Sequence, residues 1–169
     1  MHTVEKEPPI VHADISPAQF VLIDGVYKLN DFNRCRYLRR NVTSSGICGF
    51  KVGNNPGRRR APEEYKYELE DEKIDVFSMG HIFYSILTGK QPFLDYDKKK
   101  VYKKVMKGDL PLLDDELQES SDPVHVVLKT AMKMCYTYKA KERPSASEVL
   151  KYLSAQYKSI YPDDNFIKR

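Results

Sequence analysis

Two short apolar runs separated by a turn pair predict a β-hairpin near the start of the chain. Residues 20–23 read Phe-Val-Leu-Ile, residues 26–29 read Val-Tyr-Lys-Leu, and Asp24-Gly25 lies between them. An Asp-Gly pair between two such runs is typical of a tight hairpin turn. The polar residues 1–9 are interpreted as an N-terminal tail, and the stretch 39–60, which contains Asn, Ser, Gly and Pro with little periodicity, as a long loop.

After residue 62 the spacing of apolar residues becomes that of helices. Residues 73–87 are apolar on almost every side, which is typical of a helix buried among others. Amphipathic spacing together with capping residues predicts three more helices, at residues 97–107, 123–136 and 145–157. Residues 158–169 are interpreted as a C-terminal tail. We therefore expect one folded unit over residues 10–157.

The composition is that of a globular protein and narrows the choice of partners. The 169 residues are 41% hydrophobic and 31% charged, which is enough apolar material for a core. A net charge of +4 is weak evidence for binding to nucleic acid or to an anionic membrane. No apolar run approaches the ~18 residues of a membrane span, and Cys35, Cys48 and Cys135 fit neither a disulfide framework nor a zinc site. We expect an intracellular, cytoplasmic protein with no nucleic-acid or membrane partner.

Three polar side chains are predicted to meet at the open end of the hairpin. Asp14 and Gln19 precede the first strand and Asp31 follows the second, so pairing of the strands brings the three together. Two carboxylates and an amide suggest an oxygen-lined magnesium site with a neighbouring base. The alternative interpretation is a set of solvated turns, because Asp and Pro are common in turns that have no catalytic function.

Five motifs follow one another along the chain. They are His-Ala-Asp at residues 12–14, Asp-Phe-Asn at 31–33, Ala-Pro-Glu at 61–63, the start of the apolar helix at 74–80, and Glu-Arg-Pro-Ser at 142–145. In this order they resemble the C-terminal lobe of a eukaryotic protein kinase. The resemblance implies an α+β, predominantly helical fold with a small β-hairpin, an activation-type loop and about four helices, one of them buried.

The resemblance assigns three residues to catalysis. Asp14 matches the base that accepts the proton of a protein hydroxyl, and Asp31 matches the aspartate that holds Mg²⁺ on the phosphates of ATP. Gln19 stands where the family has an asparagine that binds a second Mg²⁺. ATP and Mg²⁺ are therefore the implied cofactors, and a protein is the implied substrate or partner. Serine/threonine specificity is favoured over tyrosine specificity because it is the commoner class in the family.

The resemblance gives five more residues structural roles. Glu63 and Arg143 match an ion pair that ties the end of the activation-type loop to the last helices. Asp75 matches a buried carboxylate that holds the catalytic loop through backbone amides, which are the donors that such a buried charge needs. His12 and Phe32 match two stacked side chains of the core.

Several residues differ from the family pattern. Ala13 replaces an arginine that pairs with a phosphorylated activation loop, so we expect no switching by that route. Ser16 and Ala18 stand where kinases have a cation near the transferred phosphate. Gln19 is one methylene longer than asparagine, which we expect to weaken the second metal site. Asn33 replaces a glycine, and because asparagine tolerates positive φ comparatively well, we expect the loop to keep its shape.

Basic residues leave two questions open. Arg34 and Arg36 are candidates to replace the missing cation. Arg58–Arg60 lie near the place where kinase substrates dock, and they either favour acidic substrates or form a solvated face. The same alternatives apply to the lysines of the predicted helix at residues 97–107.

The N-terminal side of the chain decides how much activity we expect. Eleven residues precede His12, and they contain neither a glycine-rich loop nor a lysine-bearing strand. The family binds ATP between two lobes, so we expect the chain by itself to be inactive. Three hypotheses stay open: the catalytic lobe of a kinase, a pseudokinase-like binding module without catalysis, and a non-functional truncated product.

Overall fold

The computed structural model of the chain describes residues 2, 9–41, 43, 46–52 and 57–164. The helices in this part of the chain are α1 Pro62–Tyr65, α2 Lys73–Thr88, α3 Lys98–Lys107, α4 Asp115–Glu119, α5 Pro123–Cys135 and α6 Ala146–Ile160. The strands are β1 Ile10–Val11, β2 Phe20–Ile23, β3 Val26–Leu29, β4 Arg36–Tyr37, β5 Arg39–Arg40 and β6 Ile47–Cys48. The predicted tail at residues 1–9 lies outside the described residues, except for His2 and Pro9. The predicted fold class, α+β and mostly helical, is confirmed.

The predicted hairpin is formed by β2 and β3, with Phe20 opposite Leu29 at its open end. Asp24 and Gly25 both have positive φ, at 52° and 75°, as a tight two-residue turn between twisted strands requires. Strand β1 pairs with β4, and β5 pairs with β6, in both cases antiparallel. The β5–β6 pair lies inside the stretch predicted as a loop, because strands of two residues are too short to show a period in the sequence.

Helix α2 is the predicted buried helix, and it packs along α5, which packs in turn against α6. Gly80 of α2 faces Tyr136, which caps the C-terminal end of α5, and a Cβ atom at Gly80 would be 2.9 Å from the ring of Tyr136. The hydroxyl of Tyr136 is 2.6 Å from Nδ1 of His81. Burial lowers the pKa of His81 to about 3, so this buried ring is neutral at pH 7. The absence of a side chain at Gly80 allows the two helices to approach.

The capping residues fix where the helices begin. Asp97 and Asp122 accept hydrogen bonds from the first-turn amides of α3 and α5. Ser145 and Glu148 form the predicted capping box, because the amide of each donates to the side chain of the other. Helix α6 continues to Ile160, past its predicted end at residue 157. The short helices α1 and α4 were not predicted, because four or five residues do not complete two turns.

The core lies between the helices and reaches strand β1. Its apolar side chains include Val11, Leu38, Ile74, Val76, Phe77, Phe83, Val101, Val105, Met132, Cys135 and Val149. Asp75 in the first turn of α2 accepts a hydrogen bond from the amide of His12, so this turn lies next to the segment that follows β1, where the predicted site residues begin. Within the described residues, no helix is both long enough and apolar enough to cross a bilayer.

Candidate active site

The predicted catalytic loop (residues 12–19, called the catalytic loop below) is attached to the buried helix α2 through one carboxylate. Asp75, in the first turn of α2, accepts hydrogen bonds from the backbone amide of His12 at 2.6 Å and from that of Ala13 at 2.9 Å. Nε2 of His2 lies 3.0 Å from the same carboxylate. Asp75 is buried, so these donors replace the water that the charge has lost. The carboxylate fixes the backbone that leads directly into Asp14.

His12 and Phe32 contact each other, but only His12 belongs to the core. Nε2 of His12 is 3.0 Å from the backbone oxygen of Asn30, and its ring meets the ring of Phe32 edge-on at 5.4 Å. His12 is fully buried, whereas Phe32 is 51% exposed. The prediction that both rings lie in the core is wrong for Phe32, because its 3₁₀ turn (Phe32–Arg34) lies at the surface and buries no residue.

Two residues of the site have a left-handed backbone conformation without being glycine. Ala13 has φ of 61° and Asp31 has φ of 62°. Such a conformation costs about 1 kcal/mol or more for a residue with a Cβ, and it is often found at functional sites. Asn33 was expected to tolerate the positive φ that a glycine permits, but it lies within the 3₁₀ turn, and the positive φ falls on Asp31 instead.

Asp14 is partly exposed and has polar neighbours from three parts of the chain. Its side chain is 34% exposed. Nε2 of Gln19 is 3.5 Å from Oδ2 of Asp14, while guanidinium nitrogens of Arg34 and Arg60 lie 3.8 Å and 3.7 Å from Oδ1. The carboxylate is thus open to solvent on one side and close to two positive charges on the other.

Gln19 connects Asp14 to the segment that carries Asp31. Its side chain contacts Asp14, and its backbone oxygen accepts a hydrogen bond from the amide of Asn30 at 2.8 Å. Asn30 directly precedes Asp31, and Phe20 pairs with Leu29 next to it. The hairpin therefore brings Gln19 next to Asp14 and next to the residue that precedes Asp31, and the meeting of all three side chains at one site stays a prediction.

Arg60 joins the catalytic loop to helix α1. One guanidinium nitrogen is 3.3 Å from the backbone oxygen of Ala13 and 3.4 Å from the carboxylate of Glu64. Glu64 also accepts a hydrogen bond from the amide of Ala61 at 2.7 Å. Burial raises the pKa of Glu64 to about 8. Sequence reasoning did not connect Arg60 with Asp14, since only the fold brings the end of the loop to this position.

The ion pair between Glu63 and Arg143 is buried and fully hydrogen-bonded. The two guanidinium NH groups lie 2.7 Å and 3.1 Å from the Glu63 carboxylate. Arg143 also donates to the backbone oxygens of Lys73, Thr137 and Tyr138. Arginine has five N–H donors, and these five hydrogen bonds give each of them an acceptor. This arrangement fixes α1, the start of α2 and the turn before α6 relative to one another.

The segment after β6 is attached by a backbone bridge to the segment between α1 and α2. Phe50 and Glu70 exchange two backbone hydrogen bonds, of 2.9 Å and 2.8 Å. The side chain of Glu70 is buried. Burial raises the pKa of Glu70 to about 7; the charge of Glu63 adds to this shift and Arg60 opposes it. Titration of Glu70 is therefore expected near neutral pH.

The oxygen atoms of Asp31 and Gln19 suit a magnesium ion. Mg²⁺ prefers hard oxygen ligands and is usually held by one or two carboxylates together with substrate phosphates. Within the described residues, no group of three or more His, Cys, Asp and Glu side chains is placed to hold a metal. One carboxylate and one amide oxygen fit an ion that takes its remaining ligands from a nucleotide and water, and do not form a complete protein cage.

Known proteins similar to this chain are protein kinases. The family model described as protein kinase domain matches residues 1–153. A serine/threonine-protein kinase/receptor of Acanthamoeba polyphaga mimivirus is 35% identical over 148 residues, which cover 86% of this chain and 8% of that protein. Serine/threonine-protein kinase AtPK2/AtPK19 of Arabidopsis thaliana is 30% identical over 146 residues, covering 86% of this chain and 29% of that protein. The chain spans less than a third of the length of either relative.

Proposed function

Because the chain belongs to the protein kinase family, we propose that it supplies the catalytic loop and the metal-binding segment for phosphoryl transfer from ATP to a protein hydroxyl. The single observation that carries this proposal is the setting of Asp14. Its carboxylate is partly exposed, on a loop fixed by Asp75 and next to Gln19. The two similar kinases named above are both described as serine/threonine-protein kinases, so a serine or threonine hydroxyl is the proposed acceptor.

Asp14 is the proposed base. It accepts the proton of the substrate hydroxyl while that oxygen forms a bond to the γ-phosphorus of ATP. The bond between the γ-phosphorus and the bridging oxygen breaks, and ADP leaves with the electron pair. Asp31 and the amide oxygen of Gln19 would hold Mg²⁺, which when bound neutralises charge on the phosphates.

Arg34 and Arg60 are the proposed source of positive charge beside the base. The family's usual cation is missing at Ser16 and Ala18. Both arginines place a guanidinium group within 4 Å of the Asp14 carboxylate, although they come from other parts of the chain. Positive charge at this position stabilises charge that develops on the transferred phosphoryl group.

A second candidate function is binding to a protein partner without catalysis. It is supported by the same contacts of Asp14, because the guanidinium groups of Arg34 and Arg60, within 4 Å of the carboxylate, compete with a substrate hydroxyl for its oxygens. The absence of an arginine at Ala13 points the same way, since it removes the usual route of activation by phosphorylation.

Phosphate transfer from γ-labelled ATP separates the two functions. The chain, joined to an N-terminal kinase lobe that carries a glycine-rich loop and a lysine-bearing strand, is incubated with Mg²⁺, labelled ATP and a mixture of protein substrates, beside the variants Asp14→Asn and Asp24→Asn. Loss of the base lowers transfer by about 100-fold or more, whereas the exposed hairpin aspartate Asp24 is a matched control whose replacement leaves the rate unchanged. Transfer that does not depend on Asp14, or ATP binding without any transfer, would overturn the catalytic proposal.

A further inference from the structure

We propose that the basic segment, defined as residues 32–62, binds an acidic stretch of the protein substrate. This inference rests on the proposed function and names the class of substrate. It predicts that glutamate, aspartate or phosphorylated residues flank the hydroxyl that is modified.

The charges of the chain are distributed very unevenly. The basic segment contains eight basic residues and no acidic residue, and seven of the eight are arginine. All 24 acidic residues lie elsewhere, together with the remaining 20 basic residues. Outside the basic segment acidic residues outnumber basic ones by 24 to 20, although the lysines of α3 form a second, shorter run of positive charge.

Both ends of the basic segment reach the proposed base. Arg34 lies near its start and Arg60 near its end, and both approach Asp14 to within 4 Å. Strand β4 of the segment pairs with β1, which directly precedes the catalytic loop. A substrate hydroxyl that reaches Asp14 is therefore bordered by this positive surface.

The outer arginines of the segment are available to a ligand. Arg36, Arg39, Arg40 and Arg58 are exposed. Within the described residues, none of these four forms an ion pair, whereas Arg34 and Arg60 do. Arginine binds carboxylates and phosphates through two parallel hydrogen bonds, so exposed guanidinium groups at this position complement an acidic peptide.

A short acidic stretch fits this surface better than a nucleic acid does. The basic segment carries eight basic residues and no acidic one, and the rest of the chain, which includes the lysines of α3, carries more acidic than basic residues. A long polyanion would extend over that acidic remainder and be repelled by it, whereas a peptide would interact only with the positive region.

The test compares three peptides that share one central serine. The serine is flanked by glutamate, by glutamine or by lysine, and binding to the full chain is measured by fluorescence anisotropy at low and high salt. We expect the glutamate peptide to bind most tightly and to weaken as salt rises. Replacing Arg39 and Arg40 together with glutamine weakens its binding roughly three- to tenfold.

Lys98 and Lys99 supply the matched control. Both are exposed lysines in α3, outside the basic segment, and their joint replacement with glutamine removes the same charge without changing the affinity. Equal affinity for the three peptides overturns the inference, as does equal weakening in both double variants. Tighter binding of an RNA oligomer than of the glutamate peptide overturns it as well.

Phosphate transfer to the same peptides distinguishes this inference from the proposed function. Transfer that depends on Asp14 but is equally fast with all three peptides overturns the inference and leaves the proposed function standing. Binding of the glutamate peptide that depends on Arg39 and Arg40, without transfer from Mg²⁺-ATP even when the chain is joined to an N-terminal kinase lobe, supports the inference and overturns catalysis.

Discussion

Replacing Asp75 with asparagine tests how the catalytic loop is held in place. The carboxylate accepts the amides of His12 and Ala13 at 2.6 Å and 2.9 Å in a buried position. Asparagine has one acceptor oxygen, so one of these amides would face an NH₂ group and lose its partner. Losing one hydrogen bond to a charged group and burying one unpaired donor cost about 2–4 kcal/mol in total.

The assay is unfolding in urea, followed by circular dichroism, for the wild-type chain and for Asp75→Asn. Amide hydrogen exchange measured by NMR adds a local reading, since the amides of His12 and Ala13 are expected to exchange faster in the variant. Asp95→Asn is the matched control, because Asp95 is exposed and its replacement is expected to change stability by less than about 0.5 kcal/mol. If Asp75→Asn matched this control in stability and left both amides protected, the carboxylate would not be what holds the loop.

Three further changes test the packing and the titration of the site. Arg143→Lys removes the five-donor guanidinium group that pairs with buried Glu63, and it is expected to lower the free energy of unfolding by about 3 kcal/mol or more. A loss below about 1 kcal/mol in urea unfolding would contradict this. Gly80→Ala brings a Cβ atom to 2.9 Å from the Tyr136 ring. Because this clash outweighs the gain in helix propensity, the free energy of unfolding is expected to fall by about 1–2 kcal/mol. A higher melting temperature would contradict this prediction. Glu70 has a pKa raised from 4.5 to about 7, so its protonated form favours folding and stability falls as pH rises between these values. Urea unfolding over that pH range is expected to show a smaller fall in the free energy of unfolding for Glu70→Gln, whereas the exposed control Glu119→Gln keeps the wild-type fall. The same pH dependence in both variants would refute the role of Glu70.

Local signals in the sequence located most of the regular structure. The Asp24-Gly25 pair predicts the hairpin because its turn needs two residues that tolerate positive φ, and Ser145 predicts the start of α6 because its side chain caps the first turn. The β5–β6 pair was missed, since its strands contain too few residues for alternation to be visible.

Contacts of the site that follow from pairing within the hairpin could be predicted from the sequence. Contacts that depend on how distant elements pack could not. Strand pairing is enough to bring Gln19 close to the residue before Asp31. The approach of Arg60 to Asp14 depends on how α1 packs beside the catalytic loop, which no local pattern encodes. The exposure of Phe32 likewise depends on what surrounds its turn, and its apolar character alone suggested burial.

The most direct measurement is paramagnetic broadening of backbone NMR signals by Mn²⁺, used in place of Mg²⁺, with ATP present. If Asp31 and Gln19 hold the ion beside Asp14, their amide signals broaden, those of Lys103 in α3 do not, and Asp31→Asn abolishes the effect. Bound ATP with unchanged signals from Gln19 and Asp31, or the same broadening in Asp31→Asn, would contradict a shared metal site at the hairpin.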